Sequence, residues 1–418
     1  MKKCVLMAIL ILCLAGALFA GGQGQQRGGT TITMLFYSPE LQAQYNDMAA
    51  AYRAATGVNL DITVIQADYR AVLMSRINSG DAPDVFMSSA YADNIAFQDI
   101  SYDLTREDFM RNISPAALEG VTHNGRVTGY PFLVQTHSFI YNRAVFRQAG
   151  ITQNPRTLAE LDTAAQRIQA AGIQPFATGF AEWWVLPQTS WRAIAPAIVS
   201  NYGGFSSFID RLNAGTLRFS DMPEMANIFD LLDLIKRYGG SRPLESDFND
   251  QTTMLATGRA AIIHQGNWAE DAIRSTNPNV EIGFMAVPAG NNASAANIMF
   301  DSNQTIRVNK NSRNLQAVLS WLRWLTTSDY GKNWIPGQIK QLSPIVGAAA
   351  PDSRIAEQAV EMMGRGVSAH PWFYQAFPPG SEETFGTILQ GYTAGLTDRR
   401  ATLTALDDAY RRLHRAAQ

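Results

Sequence analysis

Thr31-Ile32-Thr33-Met34-Leu35-Phe36-Tyr37-Ser38-Pro39-Glu40-Leu41 opens the folded part of this 418-residue chain and sets its class. Thr31 to Phe36 is β-rich and alternates, which predicts a strand. Tyr37-Ser38-Pro39-Glu40 breaks it, and Leu41, Tyr45, Met48, Ala49 and Tyr52 then recur at helical spacing until Gly57. Val58 to Ile65 reads as a second strand, Leu73 and Ile77 mark a second helix stopped by Ser79-Gly80, and Asp84-Val85-Phe86-Met87 reads as a third, buried strand. Such a β-α-β-α-β series folds as a parallel sheet flanked by helices, because parallel neighbours need a crossover and the helix supplies it.

A second series begins near Phe139-Ile140-Tyr141. Its helix is clearly punctuated: Thr157 can cap, Glu160 sits three residues on, Leu158, Leu161 and Ile168 form the stripe, and Gly172 closes it. Ala260 to Ile263 and Val280 to Val287 are further strand candidates, and helical stripes recur at Val318, Leu319, Leu322 and Leu325 and at Leu403, Leu406, Tyr410 and Leu413. Two α/β lobes are therefore expected, as the length also suggests.

Composition narrows the function. With 46% hydrophobic and 17% charged residues the chain can bury large cores, and a formal charge of −2 provides no basic field for nucleic acid. Lys2 and Lys3 precede an apolar run from Cys4 to Ala20, followed by Gly21-Gly22, so residues 1–22 read as a secretory signal and 23–29 as a flexible tether. Both cysteines, Cys4 and Cys13, fall in that leader, so the mature protein would carry no thiol. Cys13 follows the bulky Leu12, where a lipoprotein signal wants a small residue, and this favours a free periplasmic protein over a lipid-anchored one.

Catalytic motifs are missing. The five histidines never form a zinc-protease pair, and there is no Gly-x-Ser-x-Gly elbow and no phosphate-binding Gly-rich loop in the folded part. Asp81 and Asp84 have the surroundings of a turn feeding a strand, and the adjacent Glu382 and Glu383 are read with the same caution. No metal and no cofactor are expected.

Several segments, taken in order, carry a resemblance. Ser79-Gly80-Asp81-Ala82-Pro83-Asp84-Val85-Phe86, Gly125 to Phe132, Tyr141 to Phe146 with Ala149-Gly150-Ile151, Pro155 to Leu161 and Ala171 to Phe176 match in order. Gly258 to Ile262 leading to Gly266-Asn267-Trp268, Gly283 to Pro288 and Asn309-Lys310-Asn311-Ser312 continue the series. Together they resemble the extracellular solute-binding proteins of family 1, the maltose-binding-protein-like receptors of ABC sugar importers. The resemblance implies a two-lobe periplasmic-binding-protein fold of type II, each lobe a mainly parallel sheet flanked by helices, with a ligand cleft between them. It also implies seams near Val134–Ser138, Phe284–Ala286 and Thr326–Asp329, which give a first lobe of residues 30–135 plus 285–327 and a second of 136–284 plus 328–418. The implied role is a monomeric extracytoplasmic receptor that binds a mono- or oligosaccharide by hinge closure and delivers it to membrane permease subunits. The same role for a polyamine, a glycerol phosphate ester or a metal chelate is the alternative, and a secreted carbohydrate-active enzyme is a third reading.

Sugars present apolar C–H faces and rings of hydroxyls, so their sites need aromatic platforms and short hydrogen-bonding groups. Trp268 closes the Gly266-Asn267-Trp268 motif, and by resemblance it is the leading ligand platform. Trp183 and Trp184 lie between a helical segment and Pro187, where ligand stacking and inter-lobe packing are both open. Trp372, in His370-Pro371-Trp372-Phe373, belongs to a late region that by resemblance supplies another platform, whereas Trp321, Trp324 and Trp334 belong on or beside a core helix. Tyr37 and Glu40 stand at the first strand-to-helix turn, and Tyr91 follows the third strand in the same way, at the edge where open α/β sheets bind ligands. Gln135 and His137 fall at the expected hinge, and Asp301 and Asn303 beside a first-lobe strand. For each of these polar residues a turn or capping role competes with ligand contact.

Overall fold

The computed structural model describes residues 29–65 and 68–418, so the expected leader, its two cysteines and the tether up to Gly28 lie outside the described residues. The strands are β1 (Thr31–Phe36), β2 (Asn59–Val64), β3 (Val85–Ser89), β4 (Thr122–His123), β5 (Arg126–Val127) and β6 (Tyr130–Asn142). They continue with β7 (Gln174–Ala177), β8 (Ala260–Gly266), β9 (Ile282–Met285), β10 (Asn297–Val308) and β11 (Ser368–His370). β2, β1 and β3 are parallel neighbours, joined through the helices Gln42–Thr56 and Tyr69–Asn78, as the opening segment requires. Gly57 ends the first helix at φ 75, a backbone that glycine adopts without steric cost.

Two long strands run through both lobes. β10 pairs antiparallel with β3 at one end and with β6 along its length, and the far half of β6 pairs antiparallel with β8 and β9. β7 adds parallel to β8, and β11 adds parallel to the start of β10. The sheet is thus mixed: it is parallel where helices make the crossovers and antiparallel where the two shared strands enter. Every residue of β8 is buried, as expected of a strand covered on both faces. Outside the sheet, Thr157 and Glu160 form the expected capping box on the helix Leu158–Ala170. The strand expected over Val280–Val287 is shorter, Ile282–Met285, and Val287 makes only an isolated bridge to Asn297.

Apolar packing separates the lobes. Ile32, Met34, Phe36, Val85, Ile306 and Trp321 share one core, while Phe139, Ile168, Trp191, Leu232, Ile262 and Trp372 share another, with a satellite around Ile140, Ile263 and Ile355. The chain changes core inside β6 between Leu133 and Phe139, inside β10 between Met299 and Ile306, and again between Ile345 and Ile355. The second and third changes come later than the resemblance implied. β10 starts in second-lobe packing before it crosses, and Ser328 caps another first-lobe helix, Asp329–Trp334. That helix lies so close to its predecessor that a Cβ on Gly331 would stand 2.1 Å from the Leu325 carbonyl oxygen. Asp84 has a structural role: it accepts from the Thr33 amide at 2.8 Å, from Ser312 at 2.5 Å and from Asn314 at 3.1 Å, tying β1 and β3 to the segment after β10. Burial works to raise its pKa, but those hydrogen bonds outweigh it and hold the carboxyl below the usual range. Among the described residues no helix is long and apolar enough to cross a membrane.

Candidate functional site

The expected first-lobe contacts Tyr37, Glu40 and Tyr91 lie on the turns that follow β1 and β3, and a similar turn follows β2. Each turns through a residue of positive φ, Ser38 at 69, Asp68 at 56 and Tyr91 at 54. These are three of the five non-glycine residues with positive φ among the described residues, so backbone strain concentrates at this edge of the sheet. Side chains there are already anchored. Tyr37 donates to the Ser88 carbonyl at 3.1 Å and meets Tyr69 edge to face at 5.1 Å, while Tyr69 donates to the Leu35 carbonyl at 2.9 Å. Arg70 pairs with Asp93 at 2.8 Å, and the other Asp93 oxygen accepts from the Ser89 amide at 3.0 Å. Burial pushes the Tyr37 hydroxyl well above its usual range, and the carboxylates of Asp93, Glu382 and Glu40 add to the effect. Glu40 is solvent-exposed, yet desolvation still raises its carboxyl, as expected of a group in a wet crevice with protein on several sides.

The shared strands form the floor. Tyr91 donates to Asp301 Oδ2 at 2.5 Å, and Asp301 Oδ1 accepts from the Ser302 amide at 2.7 Å. Burial nevertheless pushes the Asp301 carboxyl up to about 6. Gln135 stands opposite Asp301 in the β6–β10 register and donates to Gln341 Oε1 at 3.1 Å. Asn303 is buried, its backbone carbonyl accepting from the Ala90 amide at 3.2 Å.

The second-lobe wall is aromatic. The Trp268 ring stacks on His137 with centroids 5.6 Å apart and planes 7° apart, and its Nε1 donates to Gln265 Oε1 at 2.9 Å. This fit explains the glycine two residues earlier, since a Cβ on Gly266 would fall 2.1 Å from the indole. His137 is fully buried and is held from behind by Arg192, whose guanidinium donates to the His137 carbonyl and to Nδ1. Arg192 is itself fully buried, and desolvation lowers its pKa to about 9. The same burial, together with neighbouring His264 and Arg192, keeps His137 neutral far below its ordinary pKa. Nearby, Trp183 is 36% exposed, and the half-buried Trp184 donates to Glu182 at 3.1 Å and packs on Phe248.

The sequence profile of the family described as "Bacterial extracellular solute-binding protein" matches residues 38–332, more than half the chain. The chain belongs to this family. Among its curated relatives, a multiple sugar-binding protein of Streptococcus mutans serotype c is 23% identical over 271 residues, 62% of each chain. The match thus spans less than two thirds of that relative's length. A maltotriose-binding protein of Pyrococcus abyssi is 22% identical over 326 residues, 74% of this chain and 63% of the relative. The fold of this solute-binding protein is that of the solute-binding protein RafE in complex with raffinose, with a TM-score of 0.77 at 19% identity, over 92% of this chain and all of that one.

In this solute-binding protein Tyr37, Glu40 and Tyr91 lie on the turns after β1 and β3, Gln135, Asp301 and Asn303 on the shared strands with Gln135 and Asn303 buried, and Trp183, Trp184 and Trp268 on the second lobe. Two expected contacts are corrected. Trp372 is 0% exposed inside the second-lobe core, and His137 is 0% exposed beneath Trp268, so both support the wall and neither presents a face to solvent. Trp321 and Trp334 are core residues, and Trp324 stacks on Tyr330 at 5.1 Å. Sequence reasoning missed Arg70, Asp93 and Arg192, since no spacing links a charge on one helix to a partner many residues away. A cavity of about 730 Å³, lined by Asp271, Lys340, Asp352 and Glu361 among others, opens elsewhere and includes none of the expected contacts.

Proposed function

We propose that this solute-binding protein is the extracytoplasmic receptor of an ABC importer, and that it binds a mono- or oligosaccharide between its lobes and hands it to membrane permease subunits without chemical change. The reading is carried by Trp268, an indole backed by a fully buried His137–Arg192 pair, at the edge of a crevice whose other wall carries oriented hydroxyl and carboxylate groups. An aromatic face fits the C–H side of a pyranose, and carboxylates accept its hydroxyls in pairs. Ligand contacts drawn from both walls favour the closed arrangement, so binding energy shifts a hinge equilibrium, the mode of domain closure general to periplasmic binding proteins. The lobes of this reading are 30–133 with 306–345 and 139–299 with 355–418, hinged at β6, at β10 and at the segment between Ile345 and Ile355. The mature protein is a free periplasmic monomer.

Calorimetry and thermal shift of the mature protein with raffinose, stachyose and maltotriose test the reading. Saturable stabilisation by at least one saccharide, lost in Trp268→Ala, is the expected result. Stabilisation only by spermidine or glycerol phosphate would reassign the ligand, and release of reducing ends from the oligosaccharides would overturn the non-catalytic role.

A further inference from the structure

We infer that Gln265 and Gln251 are positioning residues: with Trp268 they form a directed chain of hydrogen bonds that holds the indole in a single orientation, and the tightness of saccharide binding depends on that hold. The inference rests on the receptor reading, in which Trp268 is the platform, and names the residues behind it that keep the platform rigid.

Stacking alone leaves the indole one freedom. Its plane lies 7° from that of His137 at a centroid distance of 5.6 Å, which sets the tilt of the ring but lets it turn within its own plane. The hydrogen bond from Trp268 Nε1 to Gln265 Oε1 at 2.9 Å removes that turn. Gln265 Nε2 in its turn donates to Gln251 Oε1 at 2.6 Å, and Gln251 Nε2 donates to the Ala177 carbonyl at 3.0 Å. The chain therefore runs from the half-buried indole through two fully buried amides to the last residue of β7.

Its direction is forced at both ends. An indole nitrogen only donates and a backbone carbonyl only accepts, so each amide between them has one orientation in which every group is satisfied. Turning either amide over would set N–H against N–H on one side and oxygen against oxygen on the other, and both hydrogen bonds would be lost in a buried place. The backbone leaves room for the chain. Gly179 has φ 65, and a Cβ there would stand 2.2 Å from the Gln251 carboxamide, as one on Gly266 would strike the indole. The turn that carries Trp268 is pinned as well, since Asn267 Oδ1 accepts from the Thr136 amide at 2.9 Å where β6 passes between the lobes. A fully satisfied buried network specifies one arrangement of its members, whereas an apolar filling would leave the indole free to turn.

Calorimetry with raffinose, stachyose and maltotriose, on whichever the wild type takes, tests this together with hydrogen exchange of the indole N–H groups followed by proton NMR. Gln265→Met keeps the volume and removes the acceptor, and it should weaken binding about 3- to 10-fold. Gln251→Met, which acts only through Gln265, should weaken it about 2- to 5-fold. In a Trp268→Ala background neither substitution should change binding by more than about twofold, because the group they position is gone. The Trp268 indole N–H, assigned by its loss in Trp268→Ala, should exchange slowly in the wild type and faster in both glutamine variants. Melting midpoints check that each variant is folded, and should Gln265→Met not fold, Gln251→Met carries the same tests. Binding by the folded variants within twofold of wild type, or an equal loss with and without Trp268, overturns the inference, since the amides would then serve the fold and not the platform. If no saccharide binds the wild type, the receptor reading fails and the binding consequence fails with it. Indole exchange then decides the hold by itself: a fast Trp268 N–H, or one indifferent to Gln265→Met, refutes it.

Discussion

The two walls of the crevice are built by opposite means. On the first lobe the polar groups reach the surface already engaged, with Tyr37 on Ser88, Tyr91 on Asp301 and Arg70 on Asp93, and their turns hold left-handed backbones. On the second lobe, flat aromatic groups rest on a buried polar layer in which Arg192 Nε, His137 Nε2, His264 Nε2, His370 Nε2 and Trp372 Nε1 have no hydrogen-bond partner among the described residues. Among the described residues four such buried atoms fall in first-lobe packing, at Gln44, Ser101, Trp321 and Trp334, and most of the others lie on the shared strands and in the second lobe. The first wall is fixed before a ligand arrives, whereas the second owes its shape to what packs behind it.

That contrast can be broken most forcefully at Trp372. Trp372→Ala removes a fully buried indole and should lower unfolding stability by about 3–5 kcal/mol in denaturant melts. An unchanged melt would mean that the layer behind the wall is not a packed core. Trp268→Ala should do the reverse, weakening saccharide binding at least tenfold, on the order of 1.4 kcal/mol or more, while the melt changes less than in Trp372→Ala, because Trp268 is only half-buried.

Acid sharpens the comparison further. Burial, with Arg192 adding, lowers the His370 pKa to about 4, from an ordinary value near 6.5. The folded state therefore holds this ring neutral where the unfolded chain would protonate it. Its contribution is fully present above pH 6.5 and is lost as pH falls towards 4, amounting to about 2 kcal/mol by pH 5. Asp301, with its carboxyl raised by burial, acts in the opposite direction, its strain easing as pH drops through about 6. The stability gap between wild type and His370→Asn should thus narrow between about pH 7 and pH 5, and a gap that stays constant would contradict the buried neutral histidine. The smallest effect is expected far from both walls: Thr157→Ala removes one side of the capping box, should cost about 1 kcal/mol, and should leave binding as it was.

The capping box is legible in the sequence because its spacing is local, and so are the first three strands with their intervening helices. A short motif ending in Trp singles out Trp268 in the sequence, and the structure sets its ring on His137. Trp372 reads wrongly as a platform because a tryptophan beside a proline looks the same in sequence whether its ring faces water or a core.

Period and punctuation along this chain determined the α/β class, the order of elements and a pair of lobes, since each depends on hydrogen bonds and apolar faces that repeat over a few residues. Tertiary structure alone decided where the chain changes core, which tryptophans are buried and which charges find partners. Those outcomes depend on burial and on contacts between distant segments, which compete in three dimensions and leave no local pattern.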